Sequence, residues 1–128
     1  NSMAAERAID KLKQAFSIDS RSSYPIYKDG ELILTVYWRP LTIADRDTIN
    51  ATLIASNRGQ EEGSLEFSLQ IIINKAEDEN GNKLFSEGDR ASLRREIPMA
   101  VLIELMTKMQ GVGEEATPDA VKSTSGQE

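Results

Sequence analysis

Residues 65–76 read Leu-Glu-Phe-Ser-Leu-Gln-Ile-Ile-Ile-Asn-Lys-Ala, and the fold turns on whether they form a strand or a helix. Leu65, Phe67, Leu69, Ile71 and Ile73 alternate with Glu66, Ser68, Gln70 and Ile72, close to the period of two that a half-buried strand shows. Leu65, Leu69, Ile72, Ile73 and Ala76 also share one helical stripe, with Phe67 and Ile71 as an i, i+4 pair on the opposite side. The segment continues to Glu77, longer than the ~3–10 residues of an ordinary strand. Length therefore decides for a helix, and the chain is expected to be a mostly helical α+β single domain.

Downstream, Asp78-Glu79-Asn80-Gly81-Asn82-Lys83 is acidic and turn-forming. Asp78, Asn80 and Asn82 fall where the first three ligands of a calcium loop would, with Asp89 at the last. That loop needs glycine at its sixth position, where this chain has Lys83, and a bidentate glutamate at its twelfth. Asn80-Gly81 is more simply a tight turn between two elements. Ser86 with Asp89 three residues on can cap a helix carrying Ala91, Leu93 and Ile97, with Arg90, Arg94 and Arg95 expected in solvent. Pro98 should end that helix and open a last one reaching Gln110, terminated by Gly111 and Gly113. Residues 114–128, rich in Glu, Thr, Pro, Ser and Gly, have no apolar period and are expected to be a disordered tail.

The last helix carries the surplus that bears on function. Val101, Leu105, Met109, Leu102, Met106, Met99 and Ile103 sweep an apolar arc of about 200°, where one core contact needs about 100°. Either the helix is sandwiched inside the fold, or one flank is a partner surface. Methionine is flexible and polarizable and accepts varied apolar sequences, so Met99, Leu102, Ile103, Met106 and Met109 are the candidate partner-binding residues.

Upstream, residues 3–16 place Ala5, Ala8, Ile9, Leu12 and Phe16 on one helical stripe. This helix either covers one side of the core or is a terminal arm that docks on a neighbouring subunit. Residues 24–39 form a β-hairpin, because Asp29-Gly30 supplies the positive φ angles of a type I′ turn between β-branched and aromatic residues. A two-residue turn pairs Lys28 with Glu31, Tyr27 with Leu32 and Ile26 with Ile33. Leu32, Leu34, Val36 and Trp38 then share one face, and Ile26, Ile33, Thr35 and Tyr37 the other. Pro25 confines the first strand to an edge. Two largely apolar faces and an open second edge point to self-association. Residues 42–110 complete the helical part, opening with Thr42 as N-cap and Asp45 three residues on. That first helix, with Ile43, Thr48, Ile49, Leu53 and Ile54, should end near Asn57-Arg58-Gly59, with Gly59 as its left-handed residue.

Composition narrows the function classes. At 128 residues one domain is expected, here 1–113 before the tail, and Asn1-Ser2 ahead of Met3 resembles an expression remnant. A net charge of −6 without a basic cluster argues against nucleic acid as partner. No histidine and no cysteine are present, which removes the usual general base, the commonest transition-metal ligand and thiolate chemistry. No apolar run approaches the ~20 residues of a membrane span. No nucleophile motif, phosphate-binding glycine run or metal spacing occurs, so the chain is expected to be no enzyme and to need no cofactor.

Three features recur in order: a hairpin leading into Arg39-Pro40-Leu41-Thr42 and a helix with Asp45-Arg46, then Asp78-Glu79-Asn80-Gly81-Asn82-Lys83-Leu84-Phe85-Ser86, then a closing helix with a glycine-bearing end. Over residues 24–113 this set resembles the tail assembly chaperones of long-tailed (siphovirus-type) bacteriophages and prophages. The resemblance implies a non-enzymatic protein of the host cell cytoplasm, absent from the mature virion. Such a protein binds the helical tape measure protein and helps recruit major tail protein subunits to the growing tube. It also implies a longer product made by translational frameshift, of which this chain would be the short form. The alternatives are a structural neck or tail component of the virion, or a small interaction module unrelated to phage.

Overall fold

The computed structural model of the chain describes residues 7–58 and 65–111. The expected start of the first helix at Met3, Gly59 as a helix end, Gly113 and the 114–128 tail lie outside the described residues. In chain order the elements are α1 (Ala8–Ala15), β1 (Ser22–Lys28), β2 (Glu31–Trp38), α2 (Ile43–Ala55), α3 (Leu65–Lys75), α4 (Arg90–Arg95) and α5 (Met99–Gln110), with a single 3-10 turn at Glu87–Asp89 before α4. This is a mostly helical α+β architecture with one antiparallel hairpin.

Residues 65–75 are helical, and their burial explains why both periodicities were present. Phe67, Leu69, Gln70, Ile71, Ile72 and Ile73 are all buried, so α3 has almost no wet face along its middle. A helix that is apolar all round belongs inside a fold. It packs on α2, α4 and α5, and the core gathers Val36 and Trp38 from β2, Ile49 and Leu53 from α2, Leu93 from α4, and Leu102, Leu105, Met106 and Met109 from α5 around it.

The hairpin turns where expected: Asp29 and Gly30 both have positive φ, 53° and 81°. Its register differs from the expectation. Lys28 pairs with Glu31 and Tyr27 with Leu32, but Ile26 pairs with Leu34 rather than Ile33, because a bulge intervenes and leaves Ile33 as the extra residue. Cross-strand partners share a face, so Ile26 crosses to join Tyr24, Leu34 and Val36 against the core. The opposite face carries Ser23, Pro25, Thr35 and Tyr37, with the Tyr27–Leu32 pair toward the turn, where Tyr27, Leu32 and the bulged Ile33 are exposed. Helix α5 lies against the covered face. The Tyr24 hydroxyl donates to Glu104, and that bond, with burial and the Glu104 charge, pushes its pKa up to about 12. Lys108 Nζ stands 5.7 Å from the Tyr24 ring centre.

The far edge of β2, expected to be open, is met by the chain that follows α3. Tyr37 and Glu77 exchange both backbone hydrogen bonds, at 2.9 and 2.8 Å, and Glu77 in turn bridges Lys83. Between these, the Asp78 carboxylate accepts the amides of Asn80 at 2.8 Å and Asn82 at 3.0 Å, and Gly81 takes φ 88°. The Asn82 amide foremost holds the Asp78 carboxyl below its usual pKa. This oxygen is thus committed to closing the Asn80-Gly81 turn. Arg21 and Arg39 grip the two oxygens of Glu77 at 3.1 and 2.8 Å, and Arg21 stacks 4.8 Å from the Tyr37 ring centre.

Two helix ends follow their local chemistry. Thr42 and Asp45 form a full capping box at the start of α2. Burial raises the Asp45 pKa, but the Thr42 amide and Lys75 outweigh it and the net shift is downward. At the other end of α2 Asn57 takes the left-handed conformation, at φ 62°. The amides of Asn57 and Arg58 bond the carbonyls of Ile54 and Leu53, a Schellman closure.

Arg90 is a further correction. Expected in solvent, it is 5% exposed. Its guanidinium donates to Glu66 at 2.7 Å, to Glu87 at 3.2 Å and to the buried Gln70 side chain. Arg94, half exposed, takes the other oxygen of Glu66 at 3.0 Å. Arg90→Ala would strip the charge partner from Gln70, Glu66 and Glu87 and is expected to cost about 2–3 kcal/mol in denaturant unfolding, while Arg94→Ala costs under ~1 kcal/mol. Equal effects would show that Arg90 is only a surface residue.

Glu87 gives the same network a pH dependence. Its pKa is lowered, first by the Gln70 amide and then, against burial, by Arg90. A carboxyl with a depressed folded-state pKa stabilises fully above its unfolded value, near 4.5, and that contribution fades as pH falls through the folded value. The stability difference between the parent and Glu87→Gln should therefore shrink on acidification below about pH 4.5. A difference that is constant from pH 7 to pH 3 would refute it.

Candidate functional site

Helices α3, α4 and α5 meet in a groove of about 220 Å³. Leu69, Leu93, Leu102 and Met106 form its floor and are buried. Leu65, Ile97, Met99 and Ile103 form its edges and remain 55%, 38%, 63% and 41% exposed. The Glu66–Arg94 pair marks the one polar side. Pro98 sets this geometry: it ends α4 and starts α5 at φ −54° and ψ 137°, so Ile97 and Met99 flank the corner.

The structure divides the five candidate residues of the last helix. Met99 and Ile103 are on the exposed edge, while Leu102 and Met106 are floor residues with contacts on both sides. Met109 is buried and lies away from the groove, beside Tyr24, Trp38 and Lys108 in a separate depression. The wide apolar arc of α5 is thus explained mostly by burial, with α3 on one side and the hairpin on the other. What remains for a partner is the strip through Met99 and Ile103.

Leu65 and Ile97 complete that strip, and the sequence reading did not assign them to it. Periodicity alone places Leu65 on the apolar stripe of α3 and Ile97 on that of α4. Their signal is positional: each is the terminal apolar residue of its segment, where neighbouring turns stop covering it.

The groove's chemistry is that of packing. Its volume is below the about 300–1,000 Å³ of small-molecule sites, and its edge is apolar with one ion pair. It suits one or two large side chains projecting from a helix or strand. Among the described residues no group of acidic side chains is placed to hold a metal ion, and no helix is long and apolar enough to cross a membrane. Set against known proteins, the chain matches no family model, no curated protein and no solved structure.

Proposed function

We propose that this protein acts by binding, as a phage tail assembly chaperone. It holds a helical segment of the tape measure protein in the α3–α4–α5 groove while tail-tube subunits are recruited. The observation that carries this reading is the apolar strip of Leu65, Ile97, Met99 and Ile103 left open beside a buried floor. A contiguous exposed apolar strip on a folded domain marks a contact surface. An amphipathic helix laid along it would place side chains at i, i+3 or i+4 and i+7 over the depression. The flexible Met99 at its edge would let one groove accept successive, differing turns of a long helix. The resemblance carried by the ordered set of sequence features from Arg39-Pro40-Leu41-Thr42 to the closing helix supports the tape measure protein as that partner.

Burial now assigns different outcomes to the methionines. Met99→Glu and Ile103→Glu alter exposed side chains, so both variants should melt within a few degrees of the parent and lose co-purification with the tape measure protein. Met106→Glu and Met109→Glu bury a charge and should unfold a domain holding only about 5–15 kcal/mol. If folded Met99→Glu and Ile103→Glu still capture the tape measure protein as the parent does, the groove is not its binding site.

A further inference from the structure

Helix α1 presents a second apolar surface that no other described residue covers. Ile9, Leu12 and Phe16 lie on one stripe and stay 45–56% exposed, and α1 has no buried residue. An eight-residue helix is too short to be stable in water without tertiary contacts. Its stripe therefore calls for an acceptor, and the groove described above is an open acceptor of matching form.

We propose that α1 of one copy seats its stripe in the α3–α4–α5 groove of a second copy, reciprocally, making a dimer in which the arm holds the place of the helical partner. This rests on the reading of that groove as a helix-binding surface. Lengths agree: Ile9 to Phe16 and Met99 to Met106 are each seven residue steps, roughly 10 Å of helix. Areas agree as well. Seven half-exposed apolar side chains, each offering on the order of 100 Å², give roughly 700 Å² for one arm and groove. Two reciprocal contacts then reach about 1,400 Å², within the 1,200–2,000 Å² of a stable interface.

The tether favours a second copy over the same chain. The root of the arm is fixed where Asp19 meets Arg39 at 3.9 Å and Arg21 bonds Glu77 and the carbonyls of Asp78 and Glu79. That point lies past the C-terminal end of α3. The groove runs from Leu69, roughly 9 Å along the helix from Lys75, to Leu65 at the opposite end, roughly 15 Å away. Three residues from Asp19 to Phe16 extend at most about 10 Å, and the Ser17–Ser20 turn shortens them. Phe16 can thus approach only the near end of its own groove, and none of Ile9, Leu12 and Phe16 lines that groove within the chain.

The partner helix and α1 would compete for one surface, so dimer dissociation and partner capture are coupled. The full chain has no cysteine, which permits a direct test. Sedimentation of the parent should show a dimer, and Leu12→Glu should weaken it at least about tenfold without lowering the melting temperature. Mixing a Leu12→Cys chain with an Ile103→Cys chain under oxidising conditions should give a linked dimer. A parent that stays monomeric, a dimer indifferent to Leu12→Glu, or a linked monomer when both cysteines are in one chain would each overturn the proposal. Partner capture is scored separately with Met99→Glu: loss of the dimer together with retained capture would leave the arm contact standing and sink the functional reading of the preceding section.

Discussion

Helix α3 has to be kept dry on every side, and each neighbouring element is placed by that demand. Ile71, Ile72 and Ile73 are consecutive and all at or below 1% exposed, so they point in three directions, about 100° apart, and none points to water. One packed layer cannot satisfy such a helix. It needs α2 and α5 on different sides, α4 across its first half, and the hairpin face carrying Val36 and Trp38 to close the core. Removing any one of these covers would expose part of α3 directly.

Packing alone is non-directional, and polar ties set how each cover sits. Asp45 on α2 meets Lys75 at 3.2 Å; Glu66 on α3 meets Arg90 and Arg94 of α4; Ser68 accepts from Gln110 of α5 at 2.8 Å. Glu77, just past α3, is held by Arg21 and Arg39 while its backbone joins β2. These contacts involve opposite ends of α3, so they resist both sliding and rotation. The buried Gln70–Arg90 contact is the most demanding of them, since losing one partner strands the other in the core.

The same demand explains where apolar surface is left over. Alpha-helices of unequal length cannot cover one another to their tips, and α4, at six residues, is the shortest. Beyond its end the edges of α3 and α5 stand bare, as Leu65, Met99 and Ile103. A binding groove at this corner needs no separate framework: its floor is the core itself. Rigid floor and adaptable edge are both properties of that junction, which fits a surface that receives a helix.

Much of the fold was legible in the sequence because local chemistry dictates it. Asp29-Gly30 specifies a tight hairpin turn, Thr42 with Asp45 a helix start, Pro98 a break, and Gly111 a helix end; each acts through backbone geometry within a few residues. What the residues alone left open was decided by contacts between distant segments. The bulge at Ile33 follows from the gain in turning Ile26 onto the core, a register one hairpin by itself does not impose. Arg90 reads as a solvated charge until Glu66 and Gln70, some twenty residues earlier in the chain, enclose it. The apolar arc of α5 was visible as a surplus, but periodicity counts apolar side chains without saying how many faces have neighbours. Only the placement of α3 and the hairpin against α5 separates Leu102, Met106 and Met109, which they bury, from Met99 and Ile103, which they leave open, because burial is a property of what surrounds a residue and not of the residue.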